Sequence, residues 1–163
     1  MRILAIDPGT EISAWVVYDG GDLLRSGMGE NHDGLLAMFY DGDFQECNAM
    51  AIEMVACYGM AVGQSVFETC VWIGRFAEAW EVMADKFPHF VYRKEVTMHL
   101  CHSMRARDNN VRQAIIDRYP ATGGGKTPQI GTKSKPGPLY GVSKDVWAAL
   151  GVAITFDETK KKT

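Results

Sequence analysis

At 163 residues, 47% of them apolar, the chain is long enough for one well-buried domain and too short for two ordinary ones. No stretch approaches the roughly 20 apolar residues of a membrane span, and the opening Met1-Arg2 leads straight into a strand-like run without a signal-peptide core. The expectation is a cytoplasmic protein without a membrane partner. The net charge of -3 hides a division, since residues 1–92 carry four Lys/Arg against fourteen Asp/Glu and residues 93–163 carry thirteen against six. An acidic half beside a basic half fits a polyanion on one surface with metal ions neutralising acids on another, or merely a solvated face on each side. The four cysteines form no CxxC pair and read as reduced core residues.

In chain order, Ile3 to Ile6 reads as a strand buried on both faces, and Asp7 falls where it runs out, before Pro8-Gly9. Ligand-binding groups favour that position in α/β sheets, but Asp-Pro-Gly is also ordinary turn chemistry. Both readings stand at this point. Ile12 to Tyr18 is a second strand, Asp19 to Asp22 a hairpin turn, and Leu23 to Gly29 a third strand antiparallel to the second. A short helix at 35–39 closes at Tyr40-Asp41-Gly42-Asp43. Asn48 to Val55 is a second buried run interrupted by one acid, Glu53.

From Val62 onward Val66, Cys70, Ile73, Ala77, Trp80 and Ala84 recur at helical spacing, with Phe67, Val71, Phe76 and Met83 widening the stripe. Phe87 to Tyr92 reads as a fifth strand, and Arg107 to Tyr119 as a helix stopped by Pro120. Residues 120–142, with six glycines and three lysines, read as a long, exposed, flexible basic loop. Ser143 is placed to cap a final helix whose Val146, Ala149, Leu150, Ala153 and Ile154 face the core, and 159–163 reads as a frayed basic tail. The whole forms a single domain over 1–158, an α/β architecture with acids at the ends of the first and fourth strands.

Two carboxylates side by side in an apolar sheet repel one another and raise each other's pKa unless a cation intervenes. Mg²⁺ resolves this most simply, because it takes oxygen ligands and is often held by one or two carboxylates plus substrate phosphates. Two such ions roughly 3.5–4 Å apart serve phosphodiester hydrolysis. Asp145 is the best third acid, because a helix packed over a sheet can aim its N-terminus at the strand ends; an acid there also stabilises any helix.

Together Ala5-Ile6-Asp7-Pro8-Gly9-Thr10, Ala51-Ile52-Glu53, Trp72-Ile73-Gly74-Arg75 and Lys144 to Ile154 resemble RuvC-type Holliday-junction resolvases, and the Gly123 to Thr132 loop is most similar to phage-encoded members. The resemblance spans nearly the whole chain in order. It implies a ribonuclease-H-like fold with a mixed five-stranded sheet flanked by helices, a homodimer, and Mg²⁺- or Mn²⁺-dependent nicking of four-way or otherwise branched DNA in the cytoplasm, the host's for a phage protein. It carries the family's metal-binding acids onto Asp7, Glu53 and Asp145. Many members have a further aspartate three residues after the last of these, where this chain has Ala148. Three acids and water then suffice, or a neighbour such as Glu11 compensates, or catalysis is impaired.

Arg105, Arg107, Arg112, Lys126, Lys133 and Lys135 are the candidates for phosphate contacts. Tyr58, just beyond the Glu53 strand, is placed to stack on a base or to fill a core or dimer interface. Gly123 to Thr127 mimics the end of a P-loop, but Pro120 stands where its first glycine belongs and no helix pattern follows, so no nucleotide cofactor is expected. His99, Cys101 and His102 lack a second zinc-spaced pair and read as a helix end or turn. The rival readings are a branched-DNA-binding protein with little or no nuclease activity and a sugar-kinase or actin-like ATPase fragment, the latter lacking a second domain to close over nucleotide.

Overall fold

The computed structural model describes residues 1–160. The N-terminal runs form β1 (Arg2–Asp7), β2 (Ile12–Asp19) and β3 (Asp22–Glu30), an antiparallel meander whose β2–β3 turn uses positive φ at Gly20 and Gly21. A wide π-helical turn, Asn31–Leu36, runs into the single turn α1 (Ala37–Tyr40). Then come β4 (Ala49–Met54), α2 (Gln64–Ala84), β5 (His89–Tyr92), α3 (Arg93–Cys101), α4 (Asp108–Ile116) and α5 (Val146–Lys160). The sheet order is β3-β2-β1-β4-β5, with β4 parallel to both β1 and β5. This is the mixed five-stranded sheet, antiparallel through its first three strands, that the sequence implied.

Because side chains alternate across a strand, each strand feeds two cores. Leu4, Ile6, Val17, Met50 and Ile52 pack with α1 and with Ile73, Phe76 and Trp80 of α2. Ile3, Ala5, Val16, Ala51 and Val91 pack on the other face under α3, α4 and α5. Helix α5 is apolar nearly all round, and every residue from Val146 to Asp157 except Ala148 is buried. Small residues let it lie close, since a Cβ on Gly151 would come within 3.1 Å of Val96. Each large side chain such as Leu150 or Phe156 contributes about 1.5–3 kcal/mol by leaving water.

Several elements differ from expectation. Helix α3 was not foreseen, because among Arg93–Cys101 only Val96, Thr97 and Leu100 are buried, too short a stripe to register. Phe67 and Val71, expected in the buried stripe of α2, are 62% and 61% exposed, because the helix meets the sheet mainly through its middle and C-terminal turns. Asp145, not Ser143, stands immediately before the first residue of α5, and its carbonyl accepts from the Ala149 N–H at 3.1 Å.

Residues 120–142 contain neither helix nor long strand, yet they are closed on themselves rather than left open as their composition suggested. Gly124 N–H donates to the Lys135 carbonyl at 2.8 Å, Gly137 N–H to that of Ile130 at 2.9 Å, and Leu139 N–H to that of Gln129 at 2.9 Å. Leu139 and Val142 then enter the core. A Cβ on Gly137 would lie 2.3 Å from the Pro128 carbonyl oxygen, so only glycine permits this backbone approach. The basic tail expected at 159–163 begins inside α5, which runs to Lys160; 161–163 lie outside the described residues. Among the described residues no helix is long and apolar enough to cross a membrane.

Candidate active site

Parallel pairing of Ile6 with Ile52 brings the next residues of β1 and β4, Asp7 and Glu53, side by side at the carboxyl ends of the two central strands. Alternation points both carboxyls to the face of Ala5 and Ala51, the one covered by α5. The turn beyond Asp7 is fixed from two sides. Gly9 N–H donates to Ser13 Oγ at 3.1 Å, and the Asn31 side-chain amide donates to the Gly9 carbonyl at 2.9 Å. Ser13 and Asn31 are themselves buried and joined at 2.6 Å, so the support is rigid. The sequence reading singled out neither residue.

Burial pushes the Asp7 carboxyl up from 3.8 to about 8, with the charges of Glu53 and then Asp145 adding to the rise and Arg93 opposing it. Burial also raises Glu53, against the pull of Arg93. The two carboxyls lie close enough to share a proton. Glu53 Oε2 is nevertheless buried without a hydrogen-bond partner. An oxygen-only pair with an orphaned oxygen, crowded enough that burial raises both carboxyls, fits a hard divalent cation such as Mg²⁺ or Mn²⁺. Among the described residues no three His, Cys, Asp or Glu side chains converge on one point, so Asp145 is near enough to be felt by Asp7 but is not gathered into a finished ligand set.

Arg93 stands between these groups. It lines a cavity of about 270 Å³ with Asp7, Glu53 and Tyr58, and also a smaller one of about 60 Å³ with Asp108, Asp145 and Ala148. Its guanidinium is ion-paired with Asp108 at the start of α4. The sequence reading missed Arg93, Asp108 and Lys144. The position rule that found Asp7 and Glu53 at strand ends also points to Arg93, the first residue beyond β5. Lys144, just before Asp145, holds a left-handed backbone at φ 48, which is uncommon for a residue with a side chain. Glu11 is exposed in the turn after β1, and its carbonyl accepts from Asn31 N–H.

Tyr58 also has a left-handed backbone, is half-exposed at the cavity rim, and carries the Lys94 ammonium 3.4 Å from its ring centroid. It is therefore no core tyrosine. Arg105 and Arg107 are exposed just before α4; Arg112, on α4, stacks over Trp147 with its guanidinium carbon 5.1 Å from the ring centroid. Lys126, Lys133 and Lys135 are exposed on the folded 120–142 segment. His99 and His102 end α3, His99 bonding to Glu158 at 2.6 Å and His102 capping the helix in the left-handed region.

No protein-family model matches the sequence, and no curated protein matches it. The fold does have solved counterparts. The chain is similar to a structure of Thermus thermophilus RuvC, with a TM-score of 0.67 and 15% identity over 99% of this chain and 96% of the other. It is likewise similar to T. thermophilus RuvC in complex with a Holliday junction substrate, with a TM-score of 0.70 and 15% identity over the same shares. The chain has the ribonuclease-H-like fold of RuvC.

Proposed function

We propose that this chain is a metal-dependent, structure-selective endonuclease that nicks Holliday junctions or other branched DNA, as phage-encoded members of the RuvC group do. The observation that carries the reading is the Asp7–Glu53 pair, adjacent and buried at two strand ends with an unpartnered Glu53 oxygen, in a fold shared with a protein solved on a Holliday junction. Asp7 and Glu53 would hold the ions, and Asp145 at the mouth of α5 would join them. When bound, a pair of Mg²⁺ or Mn²⁺ ions supplies charge stabilisation at the attacking and leaving oxygens of phosphodiester hydrolysis.

The protein's own groups do the rest. The Ser13–Asn31 pair anchors the turn at Gly9, which holds the Asp7 backbone in place beside β4. Arg105, Arg107, Arg112, Lys126, Lys133 and Lys135 present exposed cations to DNA phosphates. Tyr58 offers a half-exposed ring at the cavity rim on which a base of an opened junction can stack. Phe67 and Val71, one turn apart, are an exposed apolar pair on the outer face of α2, which supports a twofold homodimer with two sites for opposing strands. Sedimentation reads that state, and a monomer at every concentration removes the paired-nick mechanism. The expected place of action is the cytoplasm, the host's for a phage protein.

A second reading, a branched-DNA binder without nuclease activity, is favoured by Ala148, which lines the cavity beside Asp145 with no carboxylate to offer. Incubation with four-way, three-way and duplex DNA in Mg²⁺ or Mn²⁺ separates the two. The nuclease gives mapped, paired nicks that Asp7→Asn abolishes while junction binding persists. Mobility shift without cutting supports the binder, and metal-dependent nicking by Asp7→Asn overturns the site assignment.

A further inference from the structure

We propose that Arg93 is a built-in counter-cation of the carboxylate site, competing with the divalent ion for Asp7 and Glu53, and that Asp108 is the residue that draws it off. This rests on the metal-site reading above and names which of the chain's own groups tunes it.

The backbone fixes the arrangement. Register between β4 and β5 sets Glu53 beside Val91 and Met54 beside Tyr92, so Arg93 leaves the sheet just past the paired ends, where its side chain shares a cavity with Glu53. There it becomes the first residue of α3, anchored by the Glu95 carboxylate accepting the Tyr92 N–H at 2.7 Å. Its side chain lines both the Asp7–Glu53 cavity and the Asp108–Asp145 cavity. The ion pair with Asp108 is lopsided, because the Arg93 side chain is 30% exposed and that of Asp108 is 95% exposed. Asp108 therefore holds the guanidinium from the solvent side, while the rest of the side chain lines the Asp7–Glu53 cavity.

A guanidinium does not lose its proton in a protein, so its charge has to be moved rather than neutralised. Lining the same cavity as Asp7 and Glu53, that charge opposes a divalent cation at their oxygens, whereas the ion pair with exposed Asp108 draws it toward solvent. With Arg93 turned inward the site is partly satisfied without metal. With Arg93 held by Asp108 the two acids are left to the ion.

Mn²⁺ binding to the DNA-free protein, followed by calorimetry and by the EPR signal of free Mn²⁺, tests this in wild type, Arg93→Gln, Arg93→Lys, Asp108→Asn and the Arg93→Gln/Asp108→Asn double variant. Arg93→Gln is expected to tighten binding on the order of tenfold, Arg93→Lys to stay near wild type, and Asp108→Asn to weaken it. The double variant is expected to match Arg93→Gln, because Asp108 acts through Arg93. Unchanged or weaker binding in Arg93→Gln overturns the proposal, as does an Asp108→Asn effect of equal size in both backgrounds. Should Arg93→Gln fail to fold, an unchanged affinity in Asp108→Asn overturns it alone. Absence of Mn²⁺ binding in both wild type and Arg93→Gln removes the metal-site reading as well, whereas wild-type binding that ignores position 93 removes only the role of Arg93.

Discussion

Replacing Asp7 by Asn should stabilise the metal-free protein while removing nicking. In the fold the Asp7 carboxyl is raised from 3.8 to about 8 by burial and by the charges of Glu53 and Asp145. Below about pH 4 both folded and unfolded chains carry its proton, and the group costs nothing. Between there and pH 8 the folded form keeps a proton that the unfolded chain releases, so stability falls as pH rises and the full loss is reached above pH 8. About four pH units at about 1.4 kcal/mol each set an upper limit of about 6 kcal/mol. Relaxation and entering water reduce that to about 1.5–3 kcal/mol in a site open to a cavity. An uncharged amide of the same shape escapes this cost and can donate to Glu53. Thermal melts in EDTA at pH 4, 5, 6 and 8 are the assay: the two proteins should converge at pH 4, and the variant should melt roughly 5–10 °C higher at pH 8. Parallel curves, or a variant that melts lower at pH 8, would refute the crowded-carboxylate reasoning.

Gly137→Ala places a methyl 2.3 Å from the Pro128 carbonyl oxygen and 2.4 Å from that of Gln129, which should cost about 1–3 kcal/mol and speed tryptic cleavage at Lys126, Lys133 and Lys135; an unaffected cleavage rate would mean the segment is open already. Asp145→Ala and Asp145→Asn should both abolish nicking while melting within about 1 kcal/mol of wild type, because only the Asp145 backbone carbonyl bonds into α5. Nicking by Asp145→Asn at the wild-type rate would reduce Asp145 to a helix start.

The strand-end positions of Asp7 and Glu53 were legible because one closes an apolar run and the other breaks one, where a carboxylate is costly, and that oddity is local. The long helix was legible from its period, but not which part of it is covered. The period reports that Phe67 and Val71 lie near the apolar stripe, whereas their exposure depends on how far the sheet extends beneath α2. The 120–142 segment misled through its composition: Gly123, Gly131 and Gly137, which suggest openness, are there because backbones pass within van der Waals contact.

What the sequence alone determined is what short-range patterning encodes: the five strands and the longer amphipathic or apolar helices, the acids near the ends of the two central strands, and the basic second half. What only the tertiary structure decided is neighbourhood. The β1–β4 register makes Asp7 and Glu53 adjacent, β4–β5 pairing delivers Arg93 to Glu53, and the packing of α3 against α4 pairs it with Asp108. Those distances join residues tens of positions apart. They are set by which apolar faces bury against one another, a property of the folded whole that no window of the chain contains.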